Sequence, residues 1–374
     1  MLASKKDLAA GENCHSAVPE DGPLPPAGNL SGAFRPTFVV GCERSGTTLL
    51  AVMIGRHSSI AMMPETHFFL RVVPRRLSKE SGAHAELLER FRRSPRAIDL
   101  EFDRAEVLAR FSQMPPTYAG LFETLMTMYA ERWGKPMGGE KTPFHLLRVP
   151  LIVKWFPEAR IVGIVRDGRD VVRSIMSAPW TAHRSLRRHC WKWAQSAELS
   201  RRLVREYPRN FMLIRYEDLV SEPEKTLRDV DAFLGVPFEA GQIEAGGPSP
   251  VVPERERGWK ANAVGHPDKS RIGAWEKEVT TRERLIMNSL MGPELRVFGY
   301  GNTELPTVSG WRRFVNGTKN ELCKIGLYRL WGNILRYTSL ERRRKRAMER
   351  RETSAVDCGA DENSDSGTSI EPAV

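Results

Sequence analysis

A turn that combines glycine, hydroxyl side chains and one arginine follows the first apolar run of the chain. The run from Phe38 to Val40 ends at Gly41, and Arg44 lies in the turn. Four small residues complete it: Ser45, Gly46, Thr47 and Thr48. Apolar residues at helical spacing follow, so the pattern predicts a strand, a loop and a helix, which point backbone N–H groups and a helix N-terminus at one phosphate. An ordinary strand–helix turn is the alternative, but the joint presence of charge, hydroxyls and glycine favours an anion site.

The turn differs from a nucleotide-triphosphatase loop at one position. The pattern G-x-x-x-x-G-K-[ST] requires a lysine where this chain has Thr47. The cation lies three residues earlier, at Arg44. That position places the positive charge beside the phosphate and the group being transferred, without the lysine and metal ion that kinases use. A nucleotide-dependent kinase is therefore disfavoured, and we keep it as the alternative from the same fold.

The string R-S-G-T-T-L, which begins at Arg44, resembles the 5′-phosphosulfate loop of sulfotransferases that use 3′-phosphoadenosine 5′-phosphosulfate (PAPS). It is most similar to the branch that contains tyrosylprotein sulfotransferases and many bacterial sulfotransferases. The resemblance covers roughly residues 36–300, with several motifs in the family's order. It implies an α/β, P-loop-like fold that moves a sulfuryl group from PAPS to a hydroxyl of a small-molecule, glycan or lipid-linked acceptor. No catalytic metal is implied.

Two further segments are similar to the parts of the family that bind the 3′-phosphate of PAPS. Arg166 follows an apolar run, and Ser174 lies about two helical turns later. A guanidinium and a hydroxyl at a helix start suit a dianion, although Arg166 could instead pair with Asp167 and have only a structural role. A later segment that ends in G-x-W resembles the family's late loop, which implies donor contacts from Ser270 and Arg271.

The resemblance also implies which residues carry out the transfer. Lys141 aligns with the lysine of the family's K-[DT]-P motif, and together with Arg44 it would stabilise the charge that develops during transfer. The acceptor hydroxyl must lose a proton to a nearby base. Glu65 matches a glutamate of the tyrosylprotein motif E-E-T-R, but Pro64 replaces its first acid and His67 its arginine. We favour Glu65 as the base and keep His67 as the alternative; purely structural roles for these side chains are the competing interpretation.

Alternation of apolar runs with helical patterns indicates the fold class. Four strands are predicted, at 38–40, near 62–63, at 160–165 and at 211–214. The glycines and the proline of 138–143 are interpreted as a break between elements. Near-continuous apolar strands with helices between them predict a three-layer fold with a parallel sheet covered on both faces. Residues 75–135 are polar with helical spacing, which predicts a helical insertion on the acceptor side.

Charge and composition divide the chain into four regions. The 374 residues carry a net charge of +11, yet residues 311–351 contain 13 Lys or Arg against 3 acidic residues, and 352–374 contain 6 acidic residues and no Lys or Arg. The basicity is therefore local, and no nucleic-acid partner is expected. The predicted regions are a disordered arm at 1–33, a sulfotransferase domain at 34–305, a basic amphipathic helical extension at 306–351 and an acidic disordered tail at 352–374.

The cysteines and the basic extension bear on location. Five scattered cysteines without a C-x-x-C pair predict a reducing, cytoplasmic compartment. Aromatic residues alternate with Arg and Lys in 311–351, which suits an anionic membrane surface. A helix that packs back on the enzyme is an equal alternative for this segment. A non-catalytic membrane- or nucleic-acid-binding protein on the same fold is the alternative to an enzyme.

Overall fold

The computed structural model describes residues 34–74, 80–178, 185–244, 249–260, 265 and 267–301. The predicted arm at 1–33, the basic extension at 306–351 and the acidic tail at 352–374 lie outside the described residues. The expectations for these three regions therefore stay predictions. Within the described residues, no helix is both long enough and apolar enough to cross a bilayer.

The centre of the fold is one sheet of five strands. Their bounds are β1 Thr37–Gly41, β2 Ile60–Met63, β3 Met137–Lys141, β4 Arg160–Val165 and β5 Phe211–Arg215. The spatial order is β2-β3-β1-β4-β5, and every neighbouring pair is parallel. After β1 the chain forms β2 and β3 on one side of β1, and it then forms β4 and β5 on the other side. Such a reversal opens a crevice at the carboxyl ends of the central strands. The predicted α/β class with a parallel sheet is confirmed.

Helices connect the strands and cover the sheet. The α-helices are α1 Thr47–Arg56, α2 His84–Arg92, α3 Arg104–Phe111, α4 Tyr118–Arg132, α5 Val149–Trp155, α6 Gly168–Met176, α7 Leu186–Glu206, α8 Tyr216–Ser221, α9 Pro223–Leu234, α10 Arg257–Lys260, α11 Trp275–Glu278 and α12 Thr281–Val297. Short turns of 3-10 helix lie at Ala97–Leu100, Pro143–Arg148, Ala240–Gln242, Glu254–Glu256 and Lys269–Arg271, and one π-helical turn lies at Phe68–Val72.

The described residues form three buried hydrophobic clusters, and two of them lie on opposite faces of the sheet. Phe38 and Val40 belong to one buried cluster, whereas Val39 between them belongs to another. β4 repeats the alternation, with Ile161 in the first cluster and Val162 in the second. Because successive side chains of a strand point to opposite faces, the two clusters pack on opposite sides of the sheet. The sequence-based expectation of three layers is therefore correct.

The expected break at 138–143 is wrong, because most of this segment is the internal strand β3. Glycine is depleted in strands since it has no side chain to pack. Here methionines from neighbouring elements fill the space instead. A Cβ on Gly138 would lie 2.2 Å from Met126 Cγ, and a Cβ on Gly139 would lie 2.2 Å from Met62 Sδ. The glycines therefore let α4 and the β2 side chains pack closely against β3.

The described part of the predicted insertion at 75–135 is helical, as expected, and consists mainly of α2, α3 and α4. Aromatic rings join it to the sheet. The ring centroids of Phe38 and Phe122 lie 5.7 Å apart, and those of Phe68 and Phe122 lie 5.0 Å apart. The insertion thus shares the core of the main fold. Because Phe68 directly follows the loop after β2, this packing also holds that loop.

We expect Gly138→Ala to lower the free energy of unfolding by about 1–3 kcal/mol, since overpacking forces side chains or backbone to move. Its Cβ would meet Met126 Cγ at 2.2 Å and the Met126 backbone oxygen at 3.2 Å. Urea unfolding followed by circular dichroism measures the change. Gly241→Ala is the matched control, because a Cβ there meets nothing within 4 Å. Equal stability of the two variants would contradict the close packing of α4 on β3.

Candidate active site

The predicted site residues gather at the carboxyl edge of the sheet. The turn after β1 carries Arg44, the loop after β2 carries Glu65, β3 ends in Lys141, and Arg166 follows β4. Because the strands are parallel, these ends lie along one edge. The residue that follows β5, Tyr216, also lies there, although the sequence analysis assigned it no role.

The turn after β1 has a strained backbone that Tyr216 helps to hold. Arg44 has φ 66° and Gly46 has φ 97°, both in the left-handed region. This conformation suits glycine but costs a non-glycine residue of order 1 kcal/mol or more. A Cβ on Gly46 would lie 2.4 Å from Tyr216 Cδ2, so only glycine fits under the ring. Ser45 is fully buried, and its Oγ has no hydrogen-bond partner among the described residues.

Three guanidinium groups surround this turn. Arg44 Nε donates to Ser174 Oγ at 3.0 Å, which joins two predicted donor-site residues. Burial, followed by repulsion from Arg166 and Arg271, lowers the pKa of Arg44. Within the described residues Arg44 makes no ion pair with a carboxylate. A cluster of like charges with a buried, unsatisfied hydroxyl is the environment that a bound anion would complete.

Arg166 is held from several sides, and one of its donors is left open. Its guanidinium carbon lies 4.4 Å from the centroid of the Tyr216 ring, a cation–π contact. Its Nη2 donates to the backbone oxygen of Arg271 at 2.6 Å and lies 3.6 Å from Asp170 Oδ2. Its Nε is buried without a hydrogen-bond partner in the described structure. The side chain is therefore fixed in place, with a donor still available for a ligand.

Ser270 is the predicted donor-site residue that the structure does not bring to this group. Its Oγ donates to Asp268 Oδ1 at 2.6 Å within the same loop, and the residue is exposed. Arg271, the residue after Ser270, is close enough to Arg44 for its positive charge to contribute to the lowered pKa of Arg44. Arg271 Nε also lies 3.1 Å from Asp268 Oδ2. The expected donor contact of Ser270 stays a prediction from the resemblance alone.

The predicted catalytic residues form a chain of polar contacts next to the turn. Lys141 is fully buried, and its Nζ donates to Glu65 Oε1 at 2.5 Å and to Thr48 Oγ1 at 3.2 Å. Glu65 Oε2 lies 3.3 Å from His67 Nε2. His67 has φ 52°, a left-handed conformation that is uncommon outside glycine. Thr48 thus connects the turn after β1 to both base candidates through Lys141.

A family model described as "Sulfotransferase family" matches residues 36–240, which are more than half of the chain and contain β1 to β5. The chain belongs to the sulfotransferase family. The resemblance that the sequence motifs indicated is therefore confirmed. The match covers Arg44, Glu65, Lys141 and Arg166, whereas the loop with Arg271 lies beyond it.

Several characterised proteins are similar to part of this sulfotransferase-family chain. Protein-tyrosine sulfotransferase 1 of Danio rerio is 31% identical over 207 residues, which are 54% of this chain and 53% of that protein. Protein-tyrosine sulfotransferase of Drosophila melanogaster is 28% identical over 213 residues, 54% of this chain and 38% of that protein. The chain thus spans about half the length, or less, of these relatives. A solved sulfotransferase domain from the curacin biosynthetic pathway is 21% identical with a TM-score of 0.49, and the match covers 74% of this chain and 99% of that domain.

The part of the chain that the structure describes contains no group of three or more His, Cys, Asp or Glu side chains arranged to hold a metal ion. The expectation of a metal-free reaction rests on the family resemblance and stays a prediction. What the site does offer is donors for an anion: the orphaned Ser45 Oγ, the orphaned Arg166 Nε and the guanidinium of Arg44. These residues fit a ligand with phosphate or sulfate groups.

Glu140, which sequence reasoning missed, holds the loop that carries the base candidates. It is fully buried, and its Oε1 accepts hydrogen bonds from the backbone N–H and the Oγ1 of Thr66, both at 3.0 Å. Thr142 Oγ1 donates to the same oxygen at 2.5 Å and accepts from the His67 N–H at 3.2 Å. His145 Nδ1 lies 2.9 Å from Glu140 Oε2. The end of β3 therefore fixes the two residues that directly follow Glu65.

Burial raises the pKa of Glu140, but His145 and the hydrogen bonds from Thr142 and Thr66 outweigh it, and the net pKa lies below the ordinary value of 4.5. We expect Glu140→Gln to lower the free energy of unfolding at pH 7 by about 3 kcal/mol, because the neutral amide has only one acceptor oxygen and leaves buried donors of Thr66, Thr142 and His145 without their charged partner. A depressed carboxyl pKa stabilises the fold above the unfolded value. The difference from wild type should therefore be full at neutral pH and shrink as the pH falls below about 4.5.

Denaturant unfolding at a series of pH values measures this difference. The control is Glu224→Gln, since Glu224 forms only an exposed pair with Arg228, and such pairs contribute about 0–1 kcal/mol. A Glu140→Gln difference that is independent of pH would contradict the ionised, hydrogen-bonded state of Glu140.

Proposed function

We propose that this chain transfers a sulfuryl group from PAPS to a hydroxyl group of an acceptor. The observation that carries the proposal is the convergence of Arg44, Arg166 and Arg271 around the buried, orphaned Ser45 hydroxyl, directly beside the Lys141–Glu65 pair. An anion site next to a cation and a general base contains the parts that sulfuryl transfer needs. Family membership supports the same activity.

The donor half of the site has a residue for each expected anionic group. The turn after β1 and the start of α1 supply backbone N–H groups, with hydroxyls from Ser45, Thr47 and Thr48. On the other side of Arg44, Arg166 and Ser174 would hold the phosphate that distinguishes PAPS from adenosine 5′-phosphosulfate, and Arg271 adds charge from the late loop. Bound PAPS would supply the activated sulfuryl group.

The transfer half uses residues from β3 and from the loop after β2. Lys141 lies between Thr48 and Glu65, where its ammonium can stabilise negative charge on oxygens placed at the turn. Glu65 would accept the proton of the acceptor hydroxyl, with His67 3.3 Å away to support it or to replace it as the base. Sulfuryl transfer is mainly a matter of position and charge, so these side chains can act without a metal ion.

The acceptor class rests on weaker support than the transfer itself. The relatives are named protein-tyrosine sulfotransferases, which favours a hydroxyl acceptor. Pro64 and His67 depart from the tyrosylprotein motif, so we propose a small-molecule, glycan or lipid-linked hydroxyl in preference to peptide tyrosine. A cytoplasmic location and an anionic membrane surface as a partner of 311–351 are likewise proposals from sequence alone.

Calorimetric titration without magnesium tests the donor site. We expect the bisphosphate product, 3′-phosphoadenosine 5′-phosphate, to bind at least about tenfold more tightly than AMP or ATP, because hydrogen bonds between charged groups contribute about 1.5–3 kcal/mol. Arg166→Met should remove most of that preference. Equal binding of all three nucleotides, or none, would rule out a PAPS-dependent activity and favour a kinase or a binding protein.

The choice between Glu65 and His67 can be made by comparing two near-isosteric variants. With Glu65 as the base, Glu65→Gln should lower kcat about 10²–10⁴-fold, while the affinity for 3′-phosphoadenosine 5′-phosphate changes little. His67→Asn should lower kcat by about tenfold or less, as expected for a group that only orients the base. Turnover is measured with a phenol or alcohol that the wild type accepts. The reverse ranking would assign the base to His67.

A further inference from the structure

The carboxylate of Asp170, near the start of α6, accepts two backbone hydrogen bonds from the late loop that carries Arg271. Asp170 is fully buried, and its Oδ1 accepts the Trp275 backbone N–H at 2.9 Å while its Oδ2 accepts the Gly273 N–H at 2.9 Å. These two amides lie more than 100 residues further along the chain. Burial raises the pKa of Asp170, although Arg166 and the two amides oppose that effect. Removing a carboxylate from water costs free energy. In this fold the buried carboxylate of Asp170 holds the late loop.

Neighbouring contacts make the attachment stronger. Arg166 Nη2 lies 3.6 Å from Asp170 and donates to the backbone oxygen of Arg271 at 2.6 Å, so it contacts the loop and its anchor together. The guanidinium of Arg169 stacks over the Trp275 ring, 4.0 Å from its centroid. The loop therefore rests on the segment that follows β4, which also carries the donor-site residue Arg166.

The loop has little regular structure of its own to fix Arg271. It consists of one 3-10 turn at Lys269–Arg271 and the four-residue helix α11. Such short elements are not stable in isolation. Its position beside Arg166 therefore depends on contacts with the rest of the fold. Among these, the two hydrogen bonds to Asp170 restrain the backbone directly after Arg271.

We propose that Asp170 is a positioning residue for the donor site: it holds the loop 268–275 against the start of α6 and thereby keeps Arg271 beside Arg44 and Arg166. The inference rests on the proposed function for the identity of the ligand, but the attachment itself does not. Asp170 touches no reacting atom. It acts on donor binding through Arg271 and, because Arg166 Nη2 lies 3.6 Å from Asp170 Oδ2, also through the orientation of Arg166.

A double-mutant cycle tests this dependence. Dissociation constants for 3′-phosphoadenosine 5′-phosphate are measured by calorimetry for wild type, Asp170→Asn, Arg271→Ala and the double variant. Asparagine cannot accept both amides, so the loop should loosen. We expect each single variant to weaken binding about tenfold and the double variant to weaken it clearly less than a hundredfold, since the effects of residues that act through each other are not additive. Losses that multiply to about a hundredfold, or wild-type affinity in Asp170→Asn, would overturn the proposal.

The exposed pair between Arg173 and Glu278 offers a matched control. It also joins α6 to α11, but it lies on the surface with Glu278 about half exposed. Glu278→Gln should leave the affinity for 3′-phosphoadenosine 5′-phosphate unchanged. If Glu278→Gln weakened the affinity as much as Asp170→Asn does, any contact between α6 and α11 would have the same effect. The specific role that we propose for Asp170 would then be contradicted.

Hydrogen exchange of the wild-type protein tests the attachment without substitutions. The backbone N–H groups of Gly273 and Trp275 should exchange slowly, because both donate to a buried carboxylate. Rapid exchange of these two amides would overturn the inference even if Asp170→Asn fails to fold. The readouts also separate the two proposals: absent binding of the bisphosphate by wild type contradicts the proposed function, whereas normal binding with rapid exchange contradicts only the role of Asp170.

Discussion

The accumulation of positive charge at one edge of the sheet is the constraint on which the rest of this structure depends. Arg44, Arg166 and Arg271 lie close enough to one another that repulsion adds to burial in lowering the pKa of Arg44. Like charges brought together out of water are unfavourable unless other contacts hold them. The fold supplies such contacts: a hydroxyl from Ser174, the ring of Tyr216 and the backbone oxygen of Arg271. The carboxylates of Asp170 and Asp268 lie beside Arg166 and Arg271.

The strand order explains why the donor half and the transfer half meet at one turn. β1 lies between β3 and β4, so the turn after β1 is adjacent to Lys141 on one side and to Arg166 on the other. Thr48, at the start of α1, contacts Lys141 directly. Tyr216 follows β5, the strand beyond β4, and its ring packs on Gly46 and under Arg166. A parallel sheet with this order thus assembles two chemically different groups from segments that are distant in sequence.

Sequence reasoning identified the residues whose signal is local. Arg44 and Arg166 follow apolar runs, and Lys141 stands in a short family motif, so none of them requires knowledge of distant partners. β3 was missed because its glycines look like a break until Met126 and Met62 are packed against them. Glu140 and Asp170 were missed for the same reason: each acts on backbone amides that the fold brings from 74 or more than 100 residues away. Motifs point to the residues that we propose as ligand contacts, whereas groups that hold other residues are recognised only in three dimensions.

Glu140 at the end of β3 and Glu65 in the loop after β2 have different environments, which suit a structural role and the proposed chemical role, respectively. Glu140 is fully buried, and both of its oxygens are occupied by donors from Thr66, Thr142 and His145. It is closed to any acceptor molecule. Glu65 keeps 13% of its side chain exposed, and its contacts are to Lys141 and His67, groups that can themselves take part in charge or proton movement. Because a general base must be reachable by the acceptor, Glu140 can only fix the geometry of the loop, and Glu65 and His67 are the residues that we propose as the base.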